Sequence, residues 1–398
     1  MDKNEVYQRL GVAPIINAAG DLTRLGGRLM SKNVAMAMEE ASRSAVRIDE
    51  LQTAVGHRIA EVTRSEGGYV VPGAAAGLAL GVAACLVEQH EELAVELPRV
   101  PLSIPSQVVL YRAHVTHYAR MFEVSGASLC IVEGPADLTT KLETGDVVAV
   151  GFLHTGADLP ASFQETVEIT QQFGVPIVVD ASVALPPIDN LWRYSELGAD
   201  LVAFSGGKAI GGPQASGFVC GREDLIRRIA DLHLGSVPYG VGRAMKVGKE
   251  EIVGLVVALE EYLVRDHAAE AIAWAESAKA IANGLCNISG ITVKVADHLP
   301  NGRPLSCVVI DVDATCSLSA VEISRSLQLQ HPAVMLNAAQ ADEGRLIVYV
   351  ANLRPGEEDL VVDSIKNVFH GHAHMAPSAV GVRDSSDISS GRVNRGSS

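Results

Sequence analysis

Aromatic residues are scarce in this chain, where Phe, Trp and Tyr together supply 4% of 398 positions. Ala, Val, Ile and Leu dominate the apolar content instead, a balance that suits an α/β enzyme better than an all-β sandwich. Basic side chains are also in the minority, with 32 Lys and Arg against 47 Asp and Glu and a formal net charge of −15. That excess of acid argues against a nucleic-acid partner, which needs a basic face to neutralise phosphates. No apolar run is long enough to span a bilayer, and no charged start followed by an apolar run marks a signal peptide, so no membrane partner is expected. The six cysteines, Cys85, Cys130, Cys220, Cys286, Cys307 and Cys316, are scattered without a Cys-x-x-Cys pair. That spacing disfavours zinc and a disulfide framework and predicts reduced, buried thiols. With 48% apolar and 20% charged residues, the composition predicts a cytoplasmic globular protein with a large core, and 37 glycines predict many tight turns.

Periodicity predicts the architecture. Leu51, Val55, Ile59 and Val62 recur at helical spacing, and Tyr69-Val70-Val71 reads as a strand entering Pro72-Gly73-Ala74-Ala75-Ala76-Gly77, whose small residues open an apolar helix. Gln107–Tyr111 and Leu129–Val132 read as strands. In the centre, Val147–Phe152, Val175–Asp180 and Asp200–Ser205 are apolar strands separated by helical stretches at Ser162–Phe173 and Asn190–Leu197. Strand, helix, strand, helix, strand is the pattern of crossover units building a parallel sheet. A long helix over Ile252–Val264 connects to a segment where Ile291–Val295, Ser306–Asp311 and Arg345–Val350 are strand-like, with helices at Val321–Leu327 and Glu358–Val368. The expected organisation is an N-terminal arm (1–50), a large domain (51–250), a connecting helix with a smaller α+β domain (251–370), and a disordered Ser-, Gly- and Arg-rich tail (371–398).

Two residues carry the strongest chemical signal. Asp180 closes one apolar strand, and Lys208 lies just past the next, in Ser205-Gly206-Gly207-Lys208-Ala209-Ile210-Gly211-Gly212. Ligands of a parallel sheet gather outside the carboxyl ends of its strands, so both side chains project into one crevice. A desolvated lysine becomes a usable nucleophile, and a neighbouring carboxylate can keep a pyridinium nitrogen protonated. Alone, an aspartate ending a strand is an ordinary turn residue and a Gly-Gly-Lys an ordinary solvated loop. Their occurrence on adjacent strand ends favours a pyridoxal phosphate site. The glycines do not form a nucleotide loop, because Lys208 is followed by Ala and no Gly stands at the required distance before it; no Gly-x-Gly-x-x-Gly joins a strand to a helix. The alternating His370-Gly371-His372-Ala373-His374 lacks interspersed carboxylates or thiols, and no metal is assigned to it.

The segments Asp180–Pro187 and Phe204–Gly217 resemble the selenocysteine synthase-like group of fold type I pyridoxal phosphate enzymes, and within it the D-glucosaminate-6-phosphate ammonia-lyase branch. Ile16–Gly20, Asp49–Gln52, Gly73–Leu78 and Gly242–Lys249 support the resemblance, which runs from about Tyr7 to Phe369. It implies an aspartate aminotransferase-like large domain and roles for individual residues. Lys208 would bind the cofactor covalently, Asp180 would pair with its ring nitrogen, and Ser182 would lie against the ring. Gly73, Ala74, Ala75 and Ser205 would hold the phosphate, and His114 would stack on the other ring face. Arg243 and Lys246 would bind an anionic substrate group across a subunit interface, and Arg354 is placed like an arginine that takes an α-carboxylate. Two departures bear on the substrate. In Arg24-Leu25-Gly26-Gly27-Arg28 the family arginine is displaced by one residue, to Arg28, and Pro72 replaces a Ser or Thr before the phosphate glycine.

The function these features imply is a homo-oligomeric pyridoxal phosphate lyase that eliminates the β-hydroxyl of an amino acid or amino sugar acid, giving ammonia and a 2-keto acid. A racemase or an aldolase begins from the same bound substrate and is the alternative. A selenium transferase acting on charged tRNA is disfavoured by the −15 charge. A cofactor-carrying scaffold without turnover is the reading from a different class.

Overall fold

The computed structural model describes residues 5–154, 161–234 and 240–372. Its strands, in chain order, are β1 (Ile15–Ala18), β2 (Gly67–Val71), β3 (Gln107–Tyr111), β4 (Ser128–Val132), β5 (Val147–Leu153), β6 (Ile177–Asp180), β7 (Leu201–Ser205), β8 (Gly217–Gly221), β9 (Ile291–Ala296), β10 (Cys307–Val312), β11 (Ala333–Leu336) and β12 (Arg345–Tyr349). Seven of them form one sheet in the order β2-β8-β7-β6-β5-β3-β4. The pairs from β7 through β4 are parallel, while β8 runs antiparallel to both of its neighbours.

The central strand β5 is buried at all seven positions, which is what a continuous apolar run requires when helices cover both faces of a parallel sheet. The crossovers are helical because they are capped and periodic. Ser162 accepts from the Glu165 N–H at the start of Phe163–Phe173, and Gly174 closes that helix in the left-handed conformation. The helix Ala74–Gln89 is apolar on every side and is buried without interruption from Gly77 to Val87. Facing strands β7 and β8 are held in register by Phe204 opposite Phe218, whose stacked rings lie 4.9 Å apart. Each ring is fully buried and contributes roughly 1.5–3 kcal/mol of transfer free energy. That pair sits one residue before Ser205, so it fixes where the chain leaves the sheet toward Lys208.

At the opposite edge of the sheet, Arg222 follows β8 and joins Glu88 (2.5 Å), Asp200 (3.2 Å) and Asp224 (2.6 Å). Asp200 also accepts from the backbone N–H of Ile177 at 2.7 Å. One guanidinium therefore ties together the starts of β6 and β7, the end of β8 and the long apolar helix.

A second, antiparallel sheet β12-β10-β9 packs beneath the helices His267–Leu285, Ala320–Gln328 and Glu357–His372 around Ile281, Leu285, Val308, Ile310, Leu346 and Val348. The helix Ala320–Gln328 begins with a reciprocal capping box between Ser319 and Glu322. β1 joins this part of the molecule by pairing in parallel with β11. Periodicity did not reveal β1, β11 or the helices Lys32–Ser42 and His267–Leu285. The two strands have four residues each and find each other across most of the chain, so no local alternation marks them. The last helix extends to His372, and the rest of the tail, 373–398 with His374, lies outside the described residues. All six cysteines are free thiols, but Cys286 is exposed, contrary to the expectation of uniformly buried thiols. It closes a helix end, where apolar periodicity has already lapsed. Among the described residues no helix is long and apolar enough to cross a membrane, and no group of three His, Cys, Asp or Glu could hold a metal.

Candidate active site

The pairing register places the site. Val71, Gly217 and Ser205 lie in one row across β2, β8 and β7, while Asp180 pairs with Ala203 on one side and Leu153 on the other. The ends of β2, β7, β6 and β5 therefore open on one edge, and Gly73, Lys208, Asp180 and His154 follow or close those strands. Asp180 and Lys208 do occupy adjacent strand ends.

Gly73 has φ of +132°, a conformation that side chains rarely adopt, and the space where a Cβ would lie is open. No side chain caps the helix Ala74–Gln89 that starts there, so its first N–H groups face that opening unpaired by a cap. Ala75 is exposed and Ser205 half-buried beside it.

Lys208 sits in a wide turn, Gly206–Ile210, with φ −111° and ψ −126°, outside helical values. The turn needs its two glycines because the surrounding chain leaves no room for side chains there: a Cβ on Gly207 would stand 2.7 Å from the Cα of Gln214, and one on Gly206 2.6 Å from Leu255. Burial pushes the Lys208 amine below the ordinary lysine value, while Asp180 and Asp21 pull it up and Arg303 adds to the depression. Asp180 accepts from the Ser182 N–H through Oδ1 at 2.9 Å, and Oδ2 takes no hydrogen bond from the described residues. Its backbone carbonyl accepts from the His154 N–H, also at 2.9 Å.

His114 is completely buried, edge-on to Phe152 at 4.5 Å and to Tyr111 at 5.9 Å. Among the described residues neither ring nitrogen has a partner, and burial pushes its pKa down to about 4, so the ring is neutral. Arg28 reaches the turn: its N–H donates to the Gly207 carbonyl at 3.0 Å, and its guanidinium meets the Ala209 carbonyl and Glu270. Arg243 and Lys246 are exposed on the segment Val241–Lys246, which His233 holds by bonding the Met245 carbonyl and the Tyr69 hydroxyl. Arg354 is 52% exposed and engaged by Glu357 through both its side chain and its backbone N–H.

Three features escaped the sequence. His154, at the end of β5, bonds the Tyr194 hydroxyl through Nδ1, and burial, Arg193 and Arg303 depress its pKa against the pull of Asp180. The Tyr194 phenol is pushed up to about 12 by burial and stays protonated. Arg303 is 5% exposed, gives Nε and one NH2 hydrogen to the Leu185 carbonyl (3.1 and 2.7 Å), and faces Asp21 at 3.5 Å. The position of His154 after a recognised strand could have flagged it, whereas Arg303 and Asp21 lie in aperiodic loops and carry no sequence signal.

A buried lysine, a carboxylate with one oxygen left open and an uncapped helix start facing free space form a donor set that fits pyridoxal phosphate, whereas His114, expected to stack on the ring, is enclosed by Phe152 and Tyr111 and shows no exposed face. The comparisons with known proteins agree. The family model of L-seryl-tRNA selenium transferase matches residues 152–283. The 5'-C-glycyluridine monooxygenase-decarboxylase of a Streptomyces species is 33% identical over 380 residues, covering 92% of each chain. The D-glucosaminate-6-phosphate ammonia lyase of Salmonella typhimurium is 27% identical over 375 residues, covering 91% of this chain and 97% of the relative. A solved structure of D-glucosaminate-6-phosphate ammonia-lyase superposes with a TM-score of 0.80 at 27% identity, over 94% of this chain and all of that one.

Proposed function

Because the chain belongs to the selenocysteine synthase-like family of fold type I pyridoxal phosphate enzymes, we propose that it is a lyase removing the β-hydroxyl and the amino group from an amino acid or amino sugar acid. Pyridoxal phosphate, when bound, supplies the sink for the electron pair released at Cα. The protein supplies position and protons. The uncapped start of Ala74–Gln89, with Gly73, Ala74, Ala75 and Ser205, holds the phosphate by backbone N–H groups and the helix dipole. Asp180 would keep the ring nitrogen protonated and Ser182 would lie against the ring, while His114, enclosed by Phe152 and Tyr111, would support that wall of the site from behind. The Lys208 amine, poised by burial, takes the proton from Cα. The C–O bond to the β-hydroxyl breaks, the oxygen leaves with its electron pair and a proton as water, and hydrolysis of the remaining enamine releases ammonia and a 2-keto acid. Arg243 and Lys246, with no side-chain partner among the described residues, bind an anionic substrate group, and Arg28 lies at the Lys208 turn to assist. Arg354 is the weaker candidate for the α-carboxylate, since Glu357 already occupies it. Exposed Val6, Tyr7, Leu10 and Val12 on the N-terminal arm support a homo-oligomer.

The observation that carries this reading is the adjacent Asp180 and Lys208 in a chain that matches an ammonia-lyase over nearly its full length. Incubation with β-hydroxy amino acids and amino sugar acids tests it, with ammonia and 2-keto acid expected in equal amounts. The 33% identity to a monooxygenase-decarboxylase supports a second reading, oxidative decarboxylation. Carbon dioxide release with oxygen uptake, and no keto acid, would replace the first reading by the second. Asp180→Asn removes a charge-assisted hydrogen bond of about 3 kcal/mol, and turnover should fall roughly 100-fold while the fold persists.

A further inference from the structure

The residues between β1 and Arg28 cross from the small antiparallel sheet to the Lys208 turn. At one end the Tyr349 ring packs against Gly20, and Asn337 donates to the Ala19 carbonyl. At the other, Gln214 donates to the Thr23 carbonyl at 2.6 Å, the Arg28 N–H donates to Gly207, and a Cβ on Gly27 would stand 2.5 Å from the Gly207 carbonyl. The segment is a strap laid on the loop that carries Lys208. Asp21 is its one carboxylate, 11% exposed at the side chain, and its partner Arg303 comes from the loop between β9 and β10. Arg303 spends two of its N–H groups on Leu185, five residues after Asp180. The pair thus touches the strap, the small domain and the Asp180 loop at once.

We propose that Asp21 and Arg303 are positioning residues for Lys208, a buried clasp of opposite charges that registers the small domain against the two loops of the site. The inference rests on Lys208 being the cofactor lysine. The charges that act on the amine are Asp180 from β6, Asp21 from the strap and Arg303 from the small domain. Farther along the turn, Arg28 and Arg265 bond the Ala209 carbonyl, and Glu270 faces Arg28. Asp21 and Arg303 act on the amine with opposite signs, so the intact pair leaves Asp180 as the governing charge. A pair that served only to glue domains would leave the Lys208 midpoint unmoved when either member is neutralised.

Competition labelling of the full chain, freed of cofactor, with acetic anhydride across a pH series reads the midpoint of each lysine by peptide mass spectrometry. Asp21→Asn leaves Arg303 uncompensated and should lower the Lys208 midpoint by about one unit, whereas Arg303→Gln should raise it by about one unit. Asp21→Glu should restore the parent midpoint, and exposed lysines should not move. Opposite displacements in the two neutralised variants bear the proposal out. An unmoved midpoint in a folded variant, or displacement of both in one direction, overturns it. Either variant suffices if the other does not fold. Neither readout uses turnover, so an absence of ammonia release from the parent protein would count against the elimination reading alone.

Discussion

Lys208→Ala should yield a protein that folds and remains colourless with added pyridoxal phosphate, where the parent shows a visible band that borohydride abolishes. Turnover should fall by roughly 10³-fold or more, because the substitution removes both the covalent anchor and the group that takes the Cα proton. The fold should tolerate the change. The Lys208 side chain makes no hydrogen bond to the described residues, and the turn is held by backbone bonds from Gly206 to Ser216, Gly211 to Lys208 and Gly212 to Gly206, each 2.9 Å. Absorbance spectra of both proteins, taken with circular dichroism as a folding control, check the result. A mutant that keeps the band would remove Lys208 from the role assigned to it.

The largest loss of stability is expected at the other edge of the sheet. Arg222→Met should cost about 3 kcal/mol in urea unfolding, because three carboxylates then lose their shared cation. Asp200 suffers most. Burial already holds its carboxyl above the usual range, against the opposing pull of the Ile177 N–H and of Arg222. Without the guanidinium it is left as a buried charge that is costly to keep, or as a neutral carboxyl that has given up its ion pair and still accepts from Ile177. Arg222→Lys retains the charge but not the fork that spans Glu88, Asp200 and Asp224, and should recover only part of the loss. Activity at low temperature should be unchanged in both variants, as Arg222 lies at the far end of the strands from Lys208.

Sequence reasoning read the sheet well where chemistry is local. The all-apolar β5, the strand ending at Asp180 and the glycine-flanked Lys208 were each visible because a buried parallel strand or a cramped turn restricts composition residue by residue. The crossover helix read over Ser162–Phe173 is likewise local, and the structure adds its cap at Ser162 and its stop at Gly174. What stayed hidden depends on partners distant in the chain. β1 is a strand only because β11 accepts it, and Asp21 is part of the site only because Arg303 arrives from a loop 282 residues away. The basic residues show the difference in kind. Arg354 was chosen by its place in a motif, but a glutamate three residues later takes its guanidinium, whereas Arg303 has no motif and is nearly buried beside Lys208.

The pairing of β1 with β11 also orders events during synthesis. The strand Ile15–Ala18 leaves the ribosome long before its partner Ala333–Leu336. Domains fold as they emerge, so the seven-stranded sheet, complete by Gly221, can form while the first strand is still waiting. The strap that follows that strand is held at its Gly207 and Gln214 end as soon as those residues emerge, but at its β1 end only once Ala333–Leu336 has been made. The Lys208 turn is therefore fully covered only after the seven-stranded sheet that carries it is complete.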